Sequence, residues 1–147
     1  GGAILTYIGG LHHWWPKMFG RMYPIRLANV TSALVFISFN LTFLPMFVVG
    51  SRGMPRRYYE YIVEFETLNQ IATAGAITLG VSLFVTLGYL IWGAFRGEAA
   101  GDNPWNAKSL EWSTVSPPIE HNFHHQPTVS GTPYEYDEDE DVAEAVK

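Results

Sequence analysis

LANVTSALVFISFNLTFLPMFVVGS, Leu27 to Ser51, runs for 25 residues without one charged side chain. About 20 residues of α-helix cross the hydrocarbon layer of a bilayer, so this stretch by itself points to a membrane-spanning helix. Thr67 to Phe95 repeats the feature over 29 residues, whereas the uncharged stretch from Gly1 to Pro16 covers only 16. The first stretch has no basic flank before it and no small-residue cleavage site after it, so it is not a signal peptide. It is expected to be a helix cut in the middle, which would make the chain a fragment or the product of a split gene. The expected fold is an all-α membrane protein. Residues 1–97 form the membrane part, with three segments at about 1–19, 26–50 and 67–96, the first truncated.

Side chains within these runs suggest packing against other helices. Thr31, Ser38 and Thr42 fall within about 40° of one another on a helix, with Asn29 and Asn40 opposite. Pro45, near the outer end, frees a carbonyl, which is tolerable in a membrane only against a neighbour or a cavity. Ala72, Ala76 and Gly80 recur at every fourth position, Thr78, Ser82 and Thr86 form a second stripe, and Gly2, Thr6 and Gly10 repeat the small-residue spacing in the first segment. Small residues so spaced let helices approach closely in lipid, so a bundle is expected rather than a lone anchor.

Charge divides the chain. Residues 1–97 hold seven Lys/Arg against three Asp/Glu, and residues 98–147 hold two against eleven. The connection carrying Lys17, Arg21 and Arg26 has no acid, while the next balances Arg52, Arg56 and Arg57 against Glu60, Glu64 and Glu66. The excess of cations places the first connection on the cytoplasmic side and the second outside, and the C-terminal tail then lies in the cytoplasm. From 98 to 133 the chain is rich in proline and aromatic residues and is expected to lie as an extended arm held by its aromatic side chains. From 134 to 147, YEYDEDEDVAEAVK is a like-charge run expected to be disordered.

The candidate site is the pair Arg56 and Arg57, just after Pro55 in GMPRRYYEY. Guanidinium groups keep their charge and present a fork of donors matched to carboxylate or phosphate, so two in succession can clamp a pair of anionic groups. On spacing alone, lipid headgroups or the loop's own Glu60, Glu64 and Glu66 are the commoner partners, and Pro55 weighs against them a little by pre-positioning the pair. Those acids could line a proton exit, although solvated loop acids are the commoner case. His12 and His13 point about 100° apart on a helix and cannot share one metal ion without distortion; interfacial rings beside Trp14 and Trp15 explain them better. His121, His124 and His125 have helical spacing but follow Pro117 and Pro118, where no helix is expected. No catalytic residue and no metal ligand is assigned. With no cysteine, thiolate metal sites and disulfides are excluded, and no phosphate loop, hydrolase triad, zinc spacing or nucleic-acid patch occurs.

LHHWWPKMFGRMY, FNLTFLP, GMPRRYYEY, FETLN, NPWNAKSLEW and SPPIEHNF, in that order, resemble the C-terminal part of subunit I of the haem-copper oxygen reductases, on the cytochrome c oxidase side of that family. The likeness covers about Gly9 to Phe123. It implies the end of the tenth and the whole of the eleventh and twelfth helices of a twelve-helix bundle in a bacterial inner membrane. It also implies that Arg56 and Arg57 meet the propionates of two haems, and that this region handles pumped protons. The haem-iron and copper ligands would lie on other helices, so this chain alone would be catalytically incomplete. The implied partners are the rest of subunit I, the other oxidase subunits, cytochrome c as electron donor and the bilayer, with no nucleic acid. Met46 and Phe47 stand where many members have Gln-His, and Ile62 where proline is usual. A rival reading is a non-catalytic membrane anchor or scaffold, with lipid-binding arginines and an acidic tail that recruits a basic partner.

Overall fold

The structure, a computed structural model, describes residues 1–127; residues 128–133 of the arm and the acidic run from Tyr134 lie outside the described residues. The described residues form three helices, α1 (Gly2–Phe19), α2 (Ile25–Ser51) and α3 (Glu66–Arg96), with one short 3-10 turn, Val63–Phe65, between α2 and α3 and another, Leu110–Trp112, after α3. Among the described residues there is no strand, and β pairing is limited to one isolated antiparallel bridge, Arg21 to Ala99. Among the described residues two helices are long and apolar enough to cross a membrane: Ile25–Ser51, of 27 residues, and Val63–Arg96, of 34 with the 3-10 turn included.

The described residues fall into two units. The first comprises Pro24–Ile91 with Gly1, and its core is a seam between α2 and α3. On α2 the buried or half-buried positions include the row Ala28, Thr31, Val35, Ser38, Thr42, Pro45 and Val49; on α3 they include Ala72, Gly75, Leu79, Ser82, Thr86 and Tyr89. Both sets advance by alternating steps of three and four, the 3.5-residue period of helices that wind about each other. The α2 stripe of Thr31, Ser38 and Thr42 is therefore the packing face expected from the sequence. On α3 the every-fourth row is not the seam. Ala72 is buried but Ala76 is exposed, and Thr78 is exposed while Ser82 and Thr86 are buried. A step of four turns a helix by about 400°, so such a row drifts off a fixed contact line by about 40° each time.

The point of closest approach is Gly75. A Cβ built there would lie 2.7 Å from the Thr42 backbone nitrogen and 2.8 Å from the Leu41 carbonyl carbon. Pro45 sits inside α2, and its missing N–H leaves the Leu41 carbonyl without its usual helical donor. The neighbour that a proline in lipid requires is thus the α3 backbone at Gly75. Hydroxyls in the seam are satisfied locally: Ser38 Oγ donates to Leu34 O at 2.6 Å, Thr42 Oγ1 to Ser38 O at 2.7 Å and Thr86 Oγ1 to Ser82 O at 2.9 Å. The interface therefore gains close contact without stranding polar groups in an apolar medium.

The second unit comprises Gly2–Tyr23 and the residues from Trp92. Here the C-terminal ends of α1 and α3 are tied together. Met22 N donates to Glu98 O at 2.8 Å and Ala100 N to Gly20 O at 3.0 Å, and Arg21 Nη1 donates to Gly97 O at 2.8 Å. Gly20 turns the chain out of α1 at φ 65°, a conformation costly for residues with a Cβ. Gly97 has no room for a side chain, since an added Cβ would overlap the Met22 carbonyl oxygen. In α1, Gly2 and Thr6 are exposed, while Gly10 is half-buried with the Trp14 ring against it.

Candidate functional site: the Arg56–Arg57 turn

The turn is built from the end of α2. Gly53 N donates to Gly50 O and Met54 N to Val49 O, both at 3.1 Å, with Gly53 at φ 90°. This is a Schellman closure, which ends a helix by satisfying its last carbonyls through a left-handed glycine. On the other side, Asn69 in the first turns of α3 donates from Nδ2 to Phe65 O at 2.8 Å and to Met54 Sδ at 3.6 Å. The buried Phe65 ring anchors the 3-10 turn that leads into α3. Met54, immediately before Pro55, is therefore gripped from both helices, and Pro55 fixes φ at the next position. The arginines follow directly on that fixed point.

Arg56 and Arg57 are both exposed. Among the described residues no contact joins either guanidinium to Glu60, Glu64 or Glu66, so the loop acids do not neutralise the pair. Arg57 has φ 59°, the left-handed region that costs a residue with a Cβ about 1–2 kcal/mol. Glycine or asparagine would hold this backbone more cheaply, and an arginine kept there in spite of the cost directs attention to its side chain. Around the pair the loop is open and apolar, with Tyr59, Ile62 and Val63 exposed and Tyr58 edge-on to Tyr61. The arrangement can accept anions and an adjoining apolar body.

The structure places the other candidates elsewhere. His12 Nδ1 lies 2.7 Å from Ile8 O and its ring meets Tyr23 edge-on, while His13 stacks on Trp105 and meets Trp112 edge-on. His121, His124 and His125 are exposed in a segment without helix. No group of three or more potential metal ligands occurs among the described residues. What the sequence reading missed is the way the arm is held. In the second unit, Lys17 Nζ donates to Asp102 O at 2.9 Å and Thr114 O at 2.6 Å, and Trp105 Nε1 donates to His13 O at 2.9 Å. The expected aromatic anchors are present, with Trp112 almost wholly enclosed, but a lysine and backbone pairing hold the arm beside them. The sequence signal was a lysine directly after HHWWP, in a connection that carries no acid.

Residues 1–78, which include the arginine turn and the first part of α3, match the family described as cytochrome c and quinol oxidase polypeptide I. The chain belongs to this family. Cytochrome c oxidase subunit 1 of Thermostichus vulcanus is 43% identical over 136 residues, covering 92% of this chain and 25% of that protein. The Bacillus subtilis protein of the same name is 40% identical over 134 residues, covering 89% of this chain and 22% of the relative. A heme-copper oxidase subunit I+III of Aeropyrum pernix is 44% identical over 130 residues, covering 88% and 16%. The chain thus spans a quarter or less of the length of these relatives. As a member of the polypeptide I family, it is a piece of a membrane helix bundle.

Proposed function

We propose that this chain is the C-terminal part of the catalytic subunit of a respiratory cytochrome c oxidase in a bacterial inner membrane, and that Arg56 and Arg57 bind haem propionates. The observation that carries the reading is the turn itself. Two adjacent guanidiniums, exposed and free of contact with the loop's own acids, follow directly on Met54, which is held from both helices, and one sits on a backbone better suited to glycine. The two exposed guanidiniums fit the acid groups of a haem, to which they can donate charged N–H groups.

When bound in the full subunit, two haems and a copper would supply the electron transfer and oxygen reduction. The part of this chain is to donate charged N–H groups to carboxylates and to hold positive charge beside them. Fixed positive charge favours an added electron, so the pair raises the midpoint potential of the adjoining group. The same charge holds nearby acids ionised, which gives the pumped-proton role its physical basis. Bundle packing is the second contribution: the α2–α3 seam is closed within the chain, and Gly2 and Thr6 on α1 are exposed to a further helix. The first segment would then be the last part of the tenth helix of twelve. Electrons would come from cytochrome c, and the other oxidase subunits would cover the remaining apolar surface. Pairing of Met22 with Glu98 supports the expectation that the first connection and the C-terminal tail share one side of the membrane, taken as cytoplasmic from the charge balance.

Arg57→Gln in the complete subunit tests the assignment. The haem midpoint potential is expected to fall by an amount on the order of tens of millivolts, because a whole charge is lost in a medium of low effective permittivity, and proton pumping is expected to weaken. Unchanged potential and unchanged pumping would show that the pair serves lipid or solvent instead.

A further inference from the structure

We propose that the C-terminal arm contains an internal ammonium-binding nest whose ligand is the Lys17 side chain of α1, and that this contact holds the central part of the arm, residues 102–116. The inference rests on the geometry of the second unit alone and does not depend on the haem reading.

An ammonium group has three donors and no acceptor. At Lys17 two of them meet carbonyl oxygens, Asp102 O at 2.9 Å and Thr114 O at 2.6 Å, and the charge stands 5.1 Å from the centroid of the Trp112 ring. Two carbonyl dipoles and an aromatic face make up the immediate shell of the cation, and the carboxylates of Asp102 and Glu111 act on it at longer range. Lys17 is only 6% exposed and Trp112 only 1%. The indole N–H of Trp112 is buried without an acceptor among the described residues, so the ring serves the cation through its face. The Asp102 carboxylate is engaged elsewhere, Oδ1 accepting from Ser116 N at 2.9 Å, and Ser116 Oγ donates to Asp102 O at 3.2 Å. The arm therefore closes on itself between residues 102 and 116 and presents two carbonyls inward to one cation.

Other contacts hold other parts of the arm. Residues 97–100 are fixed by the Met22, Ala100 and Arg21 hydrogen bonds, and Trp105 by its bond to His13 O. Removing the ammonium should thus loosen the 3-10 turn and its surroundings while leaving the base of the arm in place. That regional contrast separates a specific nest from general loss of packing.

The test is hydrogen exchange on the full chain in its native membrane complex. Lys17→Met keeps the apolar stem and removes the charge. Exchange at Trp112 N and Ser113 N, which donate to Ser109 O and Leu110 O, is expected to accelerate about 10- to 100-fold, the equivalent of losing hydrogen bonds to a charged group. Exchange at Met22 N and Ala100 N is expected to stay within about twofold of wild type, because those bonds remain. In Lys17→Ala, propylammonium should restore slow exchange and tetramethylammonium, which has no N–H donor, should not. Unchanged exchange at 112–113 in Lys17→Met, equal acceleration at 22 and 100, or equal rescue by the two cations would each overturn the proposal. Should both variants fail to assemble, acetylation of Lys17 in the wild-type complex is read instead. Slower reaction than in the SDS-denatured chain is expected, and an equal rate would dismiss the nest.

Discussion

Gly75→Ala is the most informative single change in the α2–α3 seam. The new methyl carbon would lie 2.7 Å from Thr42 N, 2.8 Å from the Leu41 carbonyl carbon and 2.9 Å from Thr42 Oγ1, where ordinary contacts begin at 3.4 Å. The first two obstacles are backbone, so no side-chain rotation relieves them and the helices must part locally by about 0.7 Å. A gap of about 0.5–1 Å forfeits roughly a quarter to a half of each dispersion contact along the adjoining seam. Overpacking of this kind costs about 1–3 kcal/mol. Helix propensity acts the other way, favouring alanine by up to about 1 kcal/mol. Gly80→Ala shares that gain and meets nothing within 4 Å among the described residues, so the difference between the two variants isolates the steric term. The assay is the half-life of the haem spectrum of the assembled enzyme in detergent at a fixed elevated temperature, since operational stability in such a complex is a rate. If the seam is lost on the way to the unfolding barrier, Gly75→Ala should shorten the half-life about 5- to 150-fold relative to Gly80→Ala. A Gly75→Ala enzyme as long-lived as wild type would refute the close-contact reasoning.

Two further outcomes follow from the same packing. Ser38, fully buried, back-bonds within its own helix to Leu34 O and Val35 O, so Ser38→Ala should change thermal half-life little, whereas Ser38→Leu should cost about 1–3 kcal/mol by overfilling the seam; equal behaviour of the two would remove the seam assignment. Trp112→Ala empties the most enclosed position of the arm and should weaken its docking by about 3–5 kcal/mol, seen as protease cleavage between 101 and 127 of the native complex, and resistance equal to wild type would count against the arm as described.

Much of this architecture could be read from residue order, and the parts that could not have physical reasons. The charge-free runs at Leu27–Ser51 and Thr67–Phe95 correspond to helices because length and apolarity are local properties. The α2 face of Thr31, Ser38 and Thr42 was legible because its spacings of seven and eleven already follow the seam's own period. On α3 a run of small residues offers several alignments, and only the partner helix selects the one through Gly75, where no side chain marks the spot. The arginine turn was visible as a motif, yet the left-handed backbone at Arg57 was not, since sequence carries no direct sign of an arginine forced into φ 59°. The Lys17 contacts were hidden for a different reason. Its acceptors are backbone carbonyls 85 and 97 residues away, and every residue type presents the same carbonyl.

The hydrogen bond from Met22 N to Glu98 O also sets an order of events during synthesis. Its acceptor is polymerised 76 residues after its donor, a wait of roughly 4–15 s at ordinary translation speeds of about 5–20 residues per second. Throughout that interval the end of the first helix must be shielded by something other than its final partner, while two more hydrophobic stretches pass into the bilayer. Closure therefore comes last, and synthesis that stops short of Glu98 would leave the end of α1 without this fastening.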